Sequence, residues 1–97
     1  MNNRKYIQTE RAPKAIGAYS QAVRCGQTVW ISGQIPLDPV SMEVIGNSDS
    51  DEGVRLQIEQ VFSNLNCICE DSGGSLREIV KLNIFLTGNV DIRKIYL

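Results

Sequence analysis

The residues with the clearest chemical potential lie where a predicted strand ends, in the sequence VWISGQIP at residues 29–36. The β-branched and aromatic residues that open this stretch are typical of a strand. Ser32 then supplies a hydroxyl, and Gly33 leaves a bare backbone that a ligand can approach closely. Pro36 has no backbone N–H to donate, so strand pairing should stop near it. The pattern predicts that Ser32 and Gly33 form part of a small-molecule site.

The composition limits the reactions that such a site could support. The 97 residues contain no histidine, which removes Ser-His and Cys-His pairs and the usual general base at neutral pH. The cysteines are Cys25, Cys67 and Cys69. Their odd number favours reduced thiols, and the last two are spaced too closely for a zinc half-site. Catalysis would therefore use carboxylates, hydroxyls, backbone groups, arginine or water, and we expect no metal and no cofactor.

Length and charge indicate one small domain over residues 1–97 with no polyanionic partner. The net charge is −1 and the charged residues of both signs are interleaved, whereas nucleic-acid binders usually cluster basic residues. No apolar run approaches the ~20 residues that a membrane helix needs. The polar N-terminus is not that of a signal peptide. We expect a cytoplasmic protein that binds neither membranes nor nucleic acid.

The elements that must position the strand end follow from hydrophobic periodicity. A first strand is predicted at Lys5–Thr9. A β-hairpin is predicted to join a second strand, Ser20–Arg24, to the strand that begins at Thr28, because a short glycine-containing connection separates the two. Alternation places Val29 and Ile31 on one face of that third strand.

A long helix is the clearest element, because apolar residues recur at steps of three and four. Asp49 and Glu52 have the spacing of a capping box at its start, and the glycines at 73–74 are expected to end it. The stripe, predicted to be core, comprises Val54, Ile58, Val61, Phe62, Leu65 and Ile68.

A further strand is predicted over residues 80–87, where apolar and polar residues alternate and the even-numbered side chains should face the helix. A second helix should open at Asp91 and be cut short at Leu97. Together these elements predict a two-layer α+β fold with helices packed on one face of a mixed sheet. The sheet is expected to be mixed because a helical crossover could bring the later strand parallel to an earlier one.

Four segments of the chain resemble those of the RidA/YjgF reactive-intermediate deaminases, a family also called L-PSP endoribonucleases. They are APxAIGxYSQAV from Ala12, ISGQIPLDP from Ile31, QVFxNL from Gln60 and IVKLNIFL from Ile79. Their order and spacing hold over most of the chain. The resemblance implies a chorismate-mutase-like α+β fold and a homotrimer with small-molecule sites between subunits.

The activity that this resemblance implies is cofactor-independent hydrolysis of an enamine or imine, such as 2-aminoacrylate, to a 2-keto acid and ammonia. By the same matching, Tyr19 lines the pocket, and Ser32 and Gly33 contact the substrate. The family's carboxylate-binding arginine and water-orienting glutamate lie beyond its second helix and have no counterpart in residues 1–97. We therefore assign no catalytic residue, and we expect a C-terminally truncated form with impaired activity.

Two other functions stay open at this point. One is the RNA cleavage or translation inhibition that the family's older names describe, which the balanced charge and the lack of histidine disfavour. The other is a non-catalytic trimer that binds a small ligand, which the unmatched arginine favours because an arginine fork gives the strongest recognition of a carboxylate.

Overall fold

The computed structural model describes residues 3–87, 91 and 93. Its strands form one antiparallel sheet in which each strand pairs with the next along the chain, and one long helix packs against it. No helix of the described residues is long and apolar enough to cross a bilayer. The predicted α+β class is confirmed. The elements are β1 (Arg4–Ile7), β2 (Ala22–Cys25), β3 (Thr28–Ile31), α1 (Asp51–Asp71) and a short 3-10 helix at Leu76–Glu78.

β2 and β3 form the tight hairpin that the sequence predicts. Gly26 lies in the turn with φ 61°, a left-handed conformation that glycine adopts without steric cost. The register pairs Ala22 with Ile31. Val29 and Ile31 are half-buried and pack towards the helix, whereas Trp30 points to the opposite face and is 69% exposed. The predicted alternation is therefore confirmed.

The core lies between the sheet and α1, and both the sheet and the helix contribute residues to it. Its buried cluster contains Ile7 from β1, Ala22 from β2 and Ile68 from α1, together with Ala12 from the loop that joins the first two strands. Removal of such side chains from water is the main favourable contribution to folding. Cys69 is also buried, and burial raises the pKa of its thiol. This cysteine therefore serves as a small apolar residue.

α1 begins with a different cap from the one predicted. Ser50 is the N-cap, and its Oγ accepts a hydrogen bond from the Gly53 N–H at 3.0 Å. The prediction of a capping box from Asp49 is wrong, because Asp49 belongs to a turn in which its own N–H donates to Asn47 Oδ1. Glu52 instead lies in the first turn, where a carboxylate is favoured by the helix dipole.

The end of α1 is held by glycine and by a cation from the sheet. Gly73 follows the Ser72 C-cap with φ 95°, which confirms the predicted glycine termination. Arg24 of β2 donates from Nη1 to the Ser72 carbonyl oxygen at 3.1 Å. A guanidinium beside the last carbonyls of a helix is stabilising because it complements the dipole. This contact ties the helix end to the sheet.

Residues 79–87 lie outside the sheet, although their alternation predicts a strand. Their even-numbered apolar side chains are exposed rather than packed on the helix, Val80 completely and Ile84 by 53%. Alternation sets which side chains share a face, but a strand also needs a hydrogen-bonded neighbour. The sheet of the described residues is therefore antiparallel and not mixed. The second helix expected from Asp91 falls mostly outside the described residues.

Candidate functional site

A small cavity lies where the loop before β2 meets the loop after β3. Its volume is about 80 Å³. That is small beside the pockets of drug-sized ligands, so it suits a compound of a few non-hydrogen atoms. The lining residues belong to two short segments of chain, and they are Pro13, Lys14, Ala15, Ile16, Tyr19 and Gln21 on one wall and Gly33, Gln34, Ile35 and Leu37 on the other.

Two of the three predicted site residues line this cavity. The Tyr19 hydroxyl accepts a hydrogen bond from the Ile16 N–H at 3.3 Å. Since that bond occupies an oxygen lone pair, the hydroxyl hydrogen stays available to a ligand. At Gly33 an added Cβ would meet nothing within 4 Å, so the backbone there is open. The arrangement joins one hydroxyl donor to one exposed stretch of backbone.

Ser32 is not among the residues that line the small cavity. Its Oγ donates to the Ser20 carbonyl oxygen, and its N–H donates to the Gln21 carbonyl oxygen at 2.9 Å. Both bonds tie the end of β3 to the start of β2. The hydroxyl hydrogen is therefore used within the fold, where it helps to hold the end of β3 next to Gly33. Ser32 is also one of the residues that line a larger groove.

Gln21 is a positioning residue that the sequence reasoning missed. Its side chain is only 3% exposed. Oε1 accepts from the Thr9 N–H at 2.6 Å, and Nε2 donates to the Thr9 and Pro13 carbonyl oxygens at 3.0 and 2.8 Å. These bonds draw the chain after β1 away from the sheet, so β1 ends at Ile7 and not at the predicted Thr9. The sequence signal that could have indicated this role is the position of a long polar side chain directly before the small apolar residue Ala22.

Asn64 fixes the opposite wall from α1. It is completely buried, although it lies outside the apolar stripe that the sequence predicts to be core. Its Nδ2 donates to the carbonyl oxygens of Leu37 at 3.0 Å and Ile35 at 3.4 Å, and its Oδ1 accepts from Gln60 Nε2 at 2.9 Å. A buried amide satisfied in this way is rigid and specific in its geometry. Asn64 therefore sets the position of the segment after Gly33.

The carboxylate closest in sequence to this wall has a structural role. Asp38 Oδ1 accepts hydrogen bonds from the N–H groups of Ser41 and Val40, and these bonds hold the pKa of the carboxyl below its usual value. The bonds close a turn, as Asp commonly does. Within residues 3–87, 91 and 93, no cluster of three His, Cys, Asp or Glu side chains could hold a metal ion.

A second, open groove of about 1880 Å³ lies between α1, β3 and residues 78–86. The apolar stripe of α1 forms part of its wall. The stripe was predicted to be core, and Val54, Leu65 and Ile68 are indeed buried. Val61 and Phe62, however, are only half-buried and border the groove. The groove shares Gly33, Gln34 and Ile35 with the small cavity, and the linings of both are mainly apolar.

Comparisons with known proteins agree with the four segments. The chain matches the family model described as Endoribonuclease L-PSP over residues 9–96. It is 36% identical over 91 residues to a RutC family protein of Pyrococcus abyssi, and the aligned region covers 94% of this chain and 68% of the relative. It is 40% identical over 83 residues to the 2-iminobutanoate/2-iminopropanoate deaminase of Rattus norvegicus, and the aligned region covers 86% of this chain and 57% of the relative.

Solved structures share the fold. RidA from an Antarctic Psychrobacter species is 51% identical with a TM-score of 0.70, over 78% of this chain and 57% of that one. Escherichia coli TdcF, solved with bound serine, is 38% identical with a TM-score of 0.65, over 74% of this chain and 52% of that one. The chain thus spans little more than half the length of these structures. The protein belongs to the RidA/YjgF family, whose sequence model is described as Endoribonuclease L-PSP.

Proposed function

We propose that the protein hydrolyses enamine or imine intermediates of the 2-aminoacrylate type to 2-keto acids and ammonia, without a cofactor, in the cytoplasm. The observation that carries the proposal is the meeting of Tyr19 and Gly33 at one small cavity. Relatives with imine deaminase names, from Dermatophagoides farinae and Rattus norvegicus, support the choice of reaction.

The reaction asks for orientation more than for a strong acid or base. An enamine first becomes the imine when a proton moves from its nitrogen to the terminal carbon. Water then adds across the C=N bond, the proton of the new hydroxyl moves to nitrogen, and the C–N bond breaks to release ammonia and leave a ketone. The Tyr19 hydroxyl hydrogen can be donated to the substrate, and the backbone near Gly33 can bind a carboxylate or hold the attacking water. Fixing water and imine together accelerates the addition because the entropy of their encounter is already lost on binding.

The proposed assembly is a homotrimer with sites between subunits. The sheet face opposite α1 carries a cross-strand row in which Tyr6 pairs with Val23 and Val23 pairs with Trp30. Both aromatic residues of this row are more than half exposed. Aromatic residues are enriched at protein interfaces because they bury large area at little entropic cost. This row therefore supports self-association through the outer face of the sheet.

The activity is tested by generating 2-aminoacrylate with a pyridoxal-phosphate dehydratase and following 2-keto acid release above the spontaneous rate. Tyr19→Phe removes the hydroxyl that faces the cavity, and we expect it to lower the accelerated rate about tenfold, as for the loss of one hydrogen bond to a charged group. Ser63→Ala removes a hydroxyl from an exposed position of α1 that does not line the cavity, and it should leave the rate unchanged. Equal rates with and without the protein would contradict the proposal.

RNA cleavage is the second candidate, because the matching family model is described as an endoribonuclease. The net charge of −1 and the lack of histidine speak against it. Single-stranded RNA incubated with the protein over a salt series decides between the two activities. Salt-dependent binding together with cleavage would favour the RNA-directed activity. A non-catalytic ligand-binding trimer would instead bind 2-keto acids in calorimetry without accelerating imine hydrolysis.

A further inference from the structure

We propose that Arg11 is a positioning residue for the small cavity. Its ion pairs with the end of α1 hold the wall that carries Tyr19 in the position that a ligand needs, and they make the order of that wall respond to ionic strength. The inference rests on the proposed function, because it concerns how the same site is held in place. Arg11 is not among the described residues that line the cavity, and it precedes the first residue of the wall, Pro13, by two positions. It therefore acts through the backbone and not by contact with a ligand.

The contact of Arg11 with α1 joins two parts of the chain that are distant in sequence. Its Nη2 lies 2.9 Å from Glu70 Oε1 and 3.3 Å from Asp71 Oδ1. The same nitrogen lies 3.5 Å from the Cys67 carbonyl oxygen. A guanidinium that meets two carboxylates and a carbonyl oxygen has a better defined position than one in a single surface ion pair. The loop between β1 and β2 is therefore fastened to the end of the helix.

The two carboxylates lie at the end of α1 where negative charge is least favourable. Among the described residues of the last turn, Glu70 and Asp71 are acidic and none is basic. The helix dipole places partial negative charge at the C-terminus, so acidic side chains there lower the stability of the helix. Helix stability therefore does not account for this pair. Attachment of Arg11 does, because the guanidinium offsets both charges and brings the loop with it.

α1 thereby becomes a common support for both walls of the cavity. Asn64 binds the wall after Gly33 through the Leu37 carbonyl oxygen, at 3.0 Å. Arg11 attaches the other wall through Glu70. The two attachment points on the helix are about 9 Å apart along its axis, at the rise of ~1.5 Å per residue. Because the helix keeps this spacing, loss of either attachment would free one wall with respect to the other.

The attachment through Arg11 is open to solvent, unlike the two amides that support the site. The side chain of Arg11 is 52% exposed and that of Glu70 is 48% exposed. Dissolved ions therefore screen this ion pair, whereas Gln21 and Asn64 are buried and their hydrogen bonds are shielded from solvent. Higher ionic strength should thus loosen the wall that carries Tyr19 and leave the opposite wall in place.

The experiment follows amide hydrogen exchange by NMR and the binding of 2-oxobutanoate by calorimetry, both at low and at high salt. The reporter amides are Thr9 and Ile16, whose N–H groups donate hydrogen bonds within the loop. Arg11→Gln should speed exchange at these amides roughly two- to fivefold at low salt, as for the loss of an exposed ion pair. It should weaken 2-oxobutanoate binding by a similar factor. The amides of the β2–β3 hairpin should keep their rates, because its pairing does not involve Arg11.

Salt and charge exchange test whether the ion pair itself is responsible. High salt should raise the exchange rates of the wild type towards those of Arg11→Gln and change the variant little. Arg11→Glu should loosen the wall further, and its combination with Glu70→Arg should restore much of the slow exchange because the pair forms again with its charges exchanged. Arg55→Gln is the matched control. It removes the same charge and an ion pair with Glu52, and Arg55 is not among the described residues that line the cavity or the groove.

The outcomes separate this inference from the proposed function. Unchanged exchange at Thr9 and Ile16 in Arg11→Gln would overturn the role of Arg11, whatever the imine assay shows. An equal rise across the β2–β3 hairpin would overturn it too, because the whole fold would then be destabilised. The inference also fails if exchange rises while 2-oxobutanoate binds as tightly as to the wild type, or if the wild type does not bind 2-oxobutanoate. If exchange and binding both depend on Arg11 but imine hydrolysis is not accelerated, the inference stands and the proposed activity fails.

Discussion

Two buried amides act as the residue-scale supports of the candidate site. Gln21 holds the loop that carries Lys14 and Tyr19, and Asn64 holds the segment that follows Gly33. Neither amide leaves a buried polar atom without a partner in the described residues. Because an unsatisfied buried group costs more than a formed hydrogen bond contributes, each amide strongly favours one local geometry. Both walls of the cavity are thus set by side chains that need not touch the ligand.

Replacement of Asn64 should affect stability and binding together. Asn64→Leu keeps the size of the side chain but leaves the Leu37 carbonyl oxygen without its donor, so we expect a loss of about 1–3 kcal/mol in the free energy of unfolding. Affinity for 2-oxobutanoate should fall as well, because the wall after Gly33 is released. Urea denaturation and calorimetry measure the two effects. Asn66→Leu, the same change two residues further along α1, is the control.

The comparison between these two variants decides the role of the amide. If both variants lose the same stability and bind 2-oxobutanoate equally well, the hydrogen bonds of Asn64 do not position the cavity. If only Asn64→Leu is affected, the supporting role is established.

At the scale of elements, the loop before α1 approaches the backbone of the first helical turn unusually closely. The preceding loop packs directly on the first turn of the helix, where Gly53 is buried. A Cβ added at Gly53 would lie 2.7 Å from the Asn47 carbonyl oxygen, and it would also overlap the Asn47 side-chain oxygen. Gly46 faces the same turn with φ 69°. The two glycines allow the loop and the helix to approach each other closely.

Gly53→Ala should therefore destabilise the protein, although alanine is the better helix former by about 1 kcal/mol. Overlap with backbone atoms cannot be relieved by a side-chain rotation, so we expect a loss of about 1–3 kcal/mol in urea denaturation. Ser63→Ala at an exposed position of α1 is the control, and it should be neutral or slightly stabilising. A gain in stability for Gly53→Ala would show that the loop does not pack on the first turn as described.

At the scale of the whole molecule, the two faces of the sheet have different surroundings. One face packs on α1 around Ile68, whereas the other exposes the row of Tyr6, Val23 and Trp30. When only one face of a sheet is packed, apolar and polar residues are expected to alternate along its strands. Aromatic side chains exposed on the other face commonly mark a site of protein association. The proposed trimer would use this face.

Trp30→Glu should disrupt that assembly. A carboxylate in a desolvated interface without a partner is costly, so we expect association to weaken at least about tenfold in sedimentation velocity. Trp30→Phe should retain most of the association, and Ser63→Glu, on the exposed side of α1, should not alter it. A wild type that sediments as a monomer at all concentrations would contradict the trimer.

Local interactions account for what the sequence by itself determined. The β2–β3 hairpin, the helix with its glycine end and the α+β class follow from turn residues and from periods of two and three to four residues, all of which act between near neighbours. The four segments from Ala12 to Leu86 likewise identified the family directly. Sequence matching also selected Tyr19 and Gly33, which the structure brings to one cavity.

Only the tertiary structure decided which polar groups are buried and what each of them contacts. Asn64 lies outside the apolar stripe of α1, but the loop after β3 covers it and supplies the carbonyl oxygens that it needs. Ser32 carries a hydroxyl at a strand end, which predicts a contact with a ligand, yet that hydroxyl donates to the Ser20 carbonyl oxygen within the fold. Residues 79–87 alternate as a strand does, but no strand among the described residues pairs with them. For Asn64 and Ser32 the deciding partner is distant in sequence, and for residues 79–87 the described residues supply no neighbouring strand, so no local pattern could reveal the outcome.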